Sequence, residues 1–112
     1  MSDQAIEQEI IAKGLTAPRV TPSDIESNIV SEHYINAGGA IYGYESGAPV
    51  GPLDLLTFCI IVLKNGFTVT GESACASPEN FDAKLGKKIA RQNAVQKIWP
   101  LMGYALKEKL SG

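Results

Sequence analysis

The chain has little of the side-chain chemistry on which most catalytic and metal sites depend. Among its 112 residues there are one histidine and two cysteines, and these do not cluster. The residues that a histidine-rich metal site or a serine–histidine–aspartate relay needs are therefore almost absent. No carboxylates are paired as a general acid and base, and no nucleophile has a base near it in sequence. We expect neither an enzyme nor a protein with a metal or cofactor.

Long apolar runs are also missing. The longest run is Phe58–Leu63, whereas a helix that spans a bilayer needs about 20 apolar residues. Residues 1–4 are polar and acidic, without the basic and apolar regions of a signal peptide. Small secreted domains usually carry more cysteines. We therefore expect a cytoplasmic protein that does not enter a membrane.

Excess charge is small but unevenly placed. The net charge is −2, which does not favour a general binder of polyanions. Residues 1–32 have six acids and two bases, residues 33–76 three acids and one base, and residues 77–112 three acids and seven bases. The basic C-terminal part either docks on the acidic N-terminal part, within or between subunits, or faces an external anionic partner.

The length suits one domain. We divide the chain into an N-terminal helix and linker, residues 1–20, and a single α+β domain, residues 21–112. Spacing of apolar residues predicts a short helix over Gln4–Lys13. Thr21 and Pro22 have the types preferred at a helix start, and this second helix is predicted to run to about Tyr34.

A β-hairpin is the clearest predicted element. Two apolar runs, Leu55–Leu63 and Phe67–Cys75, flank Asn65 and Gly66, which together favour a two-residue turn. That turn pairs Val62 with Val69. It assigns the core face to Phe58, Ile60, Val62, Phe67 and Val69. The second face then holds Cys59, Ile61, Leu63, Thr68, Thr70 and Glu72.

This register has two further consequences. It sets Cys59 and Cys75 on opposite faces of the sheet, so a disulfide between them is not expected. It also leaves the second face half apolar, to be covered either by another local helix or by another subunit. We expect a homo-oligomer.

The remaining segments complete the predicted fold. Residues 36–52 are rich in glycine, with Ala40–Tyr44 as either a short edge strand or part of a loop. A last helical region runs from Pro78 to about Leu110 and is kinked or divided at Pro100. The predicted fold class is α+β: two N-terminal helices, an antiparallel two- or three-stranded sheet, and a long kinked C-terminal helix packed on one sheet face.

A basic cluster and a tyrosine pair are the candidate binding residues. The segment Gly86–Ala94 resembles the one that opens the second helix of double-stranded RNA-binding domains, where cations meet phosphates near a helix N-terminus. The candidate residues are Lys84, Lys87, Lys88 and Arg91, with Tyr42 and Tyr44 to stack on a base, in an aromatic loop to which Tyr34 also belongs. The alternatives are a solvated helix face, and tyrosines that pack the loop onto the sheet.

Several segments together resemble a family of small tailed-phage and prophage proteins named after gene product forty-nine of a podovirus. They are Leu63–Cys75, Asn80–Asp82, Gly86–Ala90 and Trp99–Tyr104. The resemblance implies a phage gene expressed inside a bacterium. The family has no assigned activity and no defined catalytic residues, so none is carried over to this chain. By analogy we weigh three functions: a counter-defence protein that sequesters a phosphate-bearing nucleotide, a module that binds duplex RNA, and an inhibitor that masks a host protein. Nucleic acid is the less favoured partner.

Overall fold

A computed structural model describes residues 2–15, 17–43 and 51–112. Its helices are α1 (Asp3–Ala12), α2 (Pro22–Ser27), α3 (Ala37–Tyr42) and α4 (Ala83–Ser111), and its strands are β1 (Ile29–Asn36), β2 (Leu56–Leu63) and β3 (Thr68–Ala74). Short 3₁₀ turns at Pro52–Leu55 and Pro78–Asn80 precede β2 and α4. The α+β class, the two N-terminal helices and the long C-terminal helix are confirmed.

The strands form one antiparallel sheet in the order β1-β2-β3. The predicted second helix is too long, because α2 ends at Ser27 and the chain continues as β1. β-branched Ile29 and Val30 open this strand and favour extended backbone. Val30 is the extra residue of a bulge between the pairs Ile29–Leu63 and Ser31–Val62.

The segment after β1 is neither the strand nor the plain loop that we expected over its first part. Ala37–Tyr42 form α3, whose N-cap is Asn36 and whose last turn is followed by Gly43 at φ 75°. The proposed edge strand at Ala40–Tyr44 is therefore wrong as far as Gly43. Residues 44–50, which include Tyr44, lie outside the described residues.

The hairpin is present, but its register differs from the prediction by one residue. Leu63 and Phe67 close a loop of three residues, in which Gly66 has φ 88°. Ile61, not Val62, therefore pairs with Val69. A shift of one residue reverses the faces of a strand, so the core face of β2 carries Cys59, Ile61 and Leu63 instead of Phe58, Ile60 and Val62.

The same shift changes the reason why the cysteines stay apart. Both are free, as expected, but they do not lie on opposite faces. Cys75 donates its backbone N–H to the Leu55 carbonyl, so it falls in the same alternation as Cys59, four positions further along the ladder. That spacing is about 13 Å, well beyond the reach of a disulfide.

The long helix α4 covers one face of the sheet and packs mainly over β3 and β2. Its buried positions are Ala90, Ala94, Val95 and Ile98. Leu85 and Ile89 are largely exposed. The helix starts at Ala83, after Asp82, rather than at Pro78 as predicted. No helix among the described residues is long and apolar enough to cross a membrane.

Candidate functional site

The four predicted cations lie on one flank of α4. At about 100° per residue, positions 84, 87, 88 and 91 fall within an arc of about 100°. Because α4 lies over β2 and β3, this flank overlooks the strand β1 and the end of α2. We call the space between this flank and the α4-facing side of β1 the α4–β1 groove; its floor carries Glu32, Tyr34 and Asn36.

The guanidinium of Arg91 is already bound by carboxylates of the same chain. Its Nε donates to Glu32 at 2.8 Å, and its Nη2 donates to Glu26, also at 2.8 Å. The bonds to these carboxylates raise the pKa of the Arg91 guanidinium, against a smaller effect of burial. For this residue, the alternative in which the basic helix docks on the acidic N-terminal part is what the structure shows.

The three lysines of the cluster, unlike Arg91, are not paired with carboxylates of the described chain. Within the described residues Lys84, Lys87 and Lys88 make no ion pair. The ammonium of Lys87 lies 5.7 Å from the centre of the Tyr34 ring, which is the geometry of a cation–π contact. The cluster thus keeps three positive charges that no carboxylate in the described chain neutralises.

A small pocket lies in the α4–β1 groove beside the first turn of α4. Its volume is about 200 Å³. It is lined by Tyr34, Asn36, Thr57, Phe81, Ala83 and Lys87. No acidic side chain of the described chain lines it, and Lys87 is its cation. We call it the Lys87 pocket.

Thr57 is the least expected member of this pocket. Its side chain is on the α4-facing side of β2, and the residue is 5% exposed. Its hydroxyl makes no hydrogen bond to any described part of the chain. No buried side-chain oxygen or nitrogen of the described residues lacks a hydrogen-bond partner, so the unpaired Thr57 hydroxyl keeps some contact with solvent. It is therefore a donor and acceptor that is available to a ligand.

Gly86 sets how closely α4 approaches this hydroxyl. A Cβ built at Gly86 would lie 3.3 Å from Thr57 Oγ1, which is tighter than an ordinary contact. The absence of a side chain therefore lets the first turns of α4 sit close against Thr57.

The start of α4 adds backbone donors. The carboxylate of Asp82 caps the helix by accepting from the Leu85 N–H at 3.1 Å. The N–H groups of Ala83 and Lys84 have no partner within the described residues. Free amides at a helix start favour an anion, although the capping carboxylate already satisfies part of this demand.

Tyr34 and Asn36 are held in place from the floor of the groove. The Tyr34 hydroxyl donates to Glu32 at 3.2 Å. Burial, followed by the nearby Glu32 charge, raises the pKa of Tyr34 to about 12. Asn36 donates to the Asp54 carbonyl and accepts from the Gly39 N–H. Tyr34 is thus a protonated donor at neutral pH, and Asn36 is fixed by α3.

The other predicted site residues lie elsewhere. Lys88 and Arg91 line a wider cleft towards α1, about 650 Å³, which also contains the carboxylates of Asp3 and Glu26. Tyr42 is 65% exposed on α3 and does not line the Lys87 pocket. Tyr44 falls outside the described residues. Of the three tyrosines of the predicted aromatic loop, the structure therefore brings Tyr34 next to Lys87 and does not bring Tyr42 there.

No cluster of histidine, cysteine and carboxylate side chains in the described chain is arranged to hold a metal ion.

The sequence contains a signal that places Tyr34 on a strand rather than at the end of the predicted second helix. Strand-favouring residues run through Ile29–Asn36, and alternation along them sets Tyr34 on the same face as Glu32. For Thr57 the signal was hidden, because the wrong hairpin register assigned it to the second face of the sheet.

Comparison with known proteins gives a family match over most of the chain. The model of the phage protein (N4 Gp49/phage Sf6 gene 66) family matches residues 20–110. It covers both walls of the Lys87 pocket and leaves out α1. No curated protein and no solved structure shows a significant match to the chain.

Proposed function

This chain belongs to the N4 Gp49/Sf6 gene 66 family of phage proteins, and on that premise we propose that it acts inside an infected bacterium as a non-enzymatic binding protein. The membership confirms the resemblance in the hairpin and the C-terminal helix, but it assigns no activity. The ligand that we propose is a phosphate-bearing nucleotide signal, and sequestering it would serve counter-defence against the host.

The observation that carries this proposal is the Lys87 pocket. It combines an ammonium group that no carboxylate of the described chain neutralises, the unpaired hydroxyl of Thr57, and the free N–H of Ala83. Each of these donates a hydrogen bond to a phosphate oxygen, and bonds that involve charged groups are the stronger ones.

The size of the pocket limits what it holds. Pockets for whole small ligands usually measure about 300–1,000 Å³, and this one measures about 200 Å³. We therefore assign it to one phosphate and the atoms next to it. Phe81 also lines the pocket and offers an aromatic ring to a base.

Two features support binding without catalysis. In the described residues Thr57 has no base within hydrogen-bonding distance, so its hydroxyl is not activated as a nucleophile. Tyr34 has a pKa of about 12, far from the value that suits a proton-transfer group at neutral pH.

Calorimetric titration with a panel of linear and cyclic nucleotides, and with inorganic phosphate, tests the proposal. At least one nucleotide should bind, and Thr57→Val and Lys87→Glu should each weaken it about tenfold or more. Lys107→Glu, at the far end of α4, is the matched control and should bind normally.

Thr57→Val also separates function from stability. The Thr57 hydroxyl makes no hydrogen bond to the described residues, so its removal should change the melting temperature little, and a loss of binding would not reflect unfolding. If no nucleotide binds, or if both pocket variants bind as well as the wild type, the proposal is wrong.

Duplex RNA is the second candidate ligand. Apart from α3, which lies between β1 and β2, the order from α2 to α4 is the helix–three strands–helix order of double-stranded RNA-binding domains. Against it stand the net charge of −2 and the use of Arg91 within the protein. Duplex binding that falls steeply with salt would favour this candidate over the nucleotide.

A further inference from the structure

The sheet has a second face that α4 does not cover. Along the central strand β2, buried positions alternate with half-buried ones, and the half-buried set lies on this second face. The residues of β1 and β3 that pair with these half-buried residues lie on the same face. We define the open sheet face by Ile35, Phe58, Ile60, Val62, Thr68 and Thr70.

We propose that the open sheet face is the interface with a second copy of this chain. The two sheets would pack face to face about a two-fold axis, as sheets in sandwiches do at a spacing of about 10 Å. The dimer would then have four layers, with an α4 helix on each outside. This proposal does not depend on the proposed ligand.

The solvent-exposed area of the chain is large enough to include an interface with a second copy. A compact monomer of 11.9 kDa exposes about 6,000 Å², whereas this chain exposes 7,479 Å². A stable interface buries about 800 Å² on each partner, so the surplus is enough for one. The chain is also only 17 Å thick along its shortest axis, which corresponds to one sheet and one helix.

The composition of the face fits a copy of itself. It is formed by aliphatic, aromatic and threonine side chains, and the ionisable residues beside them in the described strands are His33 and Glu72, on opposite edge strands. A two-fold axis along β2 sets β1 of one copy over β3 of the other. Each carboxylate then comes over the strand that carries the imidazole, rather than over a second carboxylate.

Sedimentation equilibrium of the full chain tests this proposal. Between about 1 and 100 µM we expect a dimer. Ile60→Glu, at the centre of the face, should weaken the dimer about 100-fold or more, because it buries an unpaired charge. Leu110→Glu, at an exposed apolar position near the end of α4, should leave the dimer intact.

Thr70→Glu keeps the test decisive if Ile60→Glu does not fold. Thr70 is exposed on β3, so this variant should retain its circular dichroism spectrum and weaken the dimer about tenfold or more. A chain that is monomeric up to about 100 µM would overturn the proposal. So would a dimer that folded face variants leave intact, or a face that binds a host protein while the chain alone is a monomer.

Discussion

Gly71 is the residue at which the sheet and α4 come closest. A Cβ at this position would lie 2.2 Å from the Ala94 nitrogen and 2.3 Å from the Ala90 oxygen, and backbone atoms cannot rotate away. We expect Gly71→Ala to lower the free energy of unfolding by more than about 3 kcal/mol, as measured by urea denaturation.

Gly103 in α4 is the matched control for that substitution. A Cβ there meets no atom within 4 Å, and alanine is the better helix former. Gly103→Ala should therefore raise the free energy of unfolding by about 0.5–1 kcal/mol. Equal effects of the two substitutions would contradict the close packing of α4 on β3.

Tyr34 gives the stability of the fold a dependence on alkaline pH. Its pKa of about 12 is higher than the value of about 10 in an unfolded chain. Its protonated form is therefore favoured by folding, and the resulting stabilisation is complete below pH ~10 and is lost as the pH rises through ~12. Denaturation from pH ~9 to ~12 should show a loss of about 2 kcal/mol that is absent from Tyr34→Phe. Parallel profiles for the two proteins would contradict the assignment.

Arg91 should act through stability rather than through ligand binding. Losing its bonds to Glu26 and Glu32 should cost about 1 kcal/mol at low ionic strength, and less at high salt because the pairs are partly exposed. Lys84→Gln, which removes a charge without an ion pair, should change the melting temperature little. If Arg91→Gln proves neutral at low salt, the ion pairs do not hold α2 and β1 to α4.

At this scale the sequence predicted which residues carry charge but not which charges are free. The spacing of positions 84, 87, 88 and 91 correctly indicated one flank of a helix. The glutamates that bind Arg91 are 59 and 65 positions away. Their proximity follows from the docking of α2 and β1, which local patterns do not contain.

At the scale of elements, the hairpin was predicted correctly, but its loop is one residue longer than predicted. The Asn–Gly pair correctly indicated the hairpin, and the cap at Thr21 correctly indicated the start of α2, where Thr21 and Asp24 form a capping box. The choice between a two- and a three-residue loop is a small free-energy difference that packing against α4 settles. The predicted two-residue loop therefore assigned the wrong face of β2 to the core, and Thr57 was not recognised as facing α4.

The helix α1 is the least embedded element. None of its residues is buried, and Asp3 accepts from the Trp99 indole N–H at 3.1 Å. We expect a chain starting at residue 20 to keep the circular dichroism spectrum of a folded protein, weakened only by the helical signal of α1. It should lose little stability and show Trp99 fluorescence shifted to the red. Loss of the folded spectrum would show that α1 is part of the core.

At the scale of the whole molecule, both the extended shape and the unpaired lysines indicate surfaces that bind other molecules. The radius of gyration is 17.2 Å, compared with about 13 Å for a compact chain of this length. The acidic N-terminal part neutralises Arg91 but leaves Lys84, Lys87 and Lys88 unpaired in the described structure. We therefore assign the open sheet face to a second copy of the chain and the Lys87 pocket to an anion.

Native mass spectrometry of the protein recovered from infected cells tests the central claim most directly. We expect the wild-type chain to carry a phosphate-bearing molecule of nucleotide size, and Lys87→Glu recovered in the same way to carry none. A wild-type chain without such a molecule, or a Lys87→Glu chain that retains it, would contradict the assignment of the Lys87 pocket.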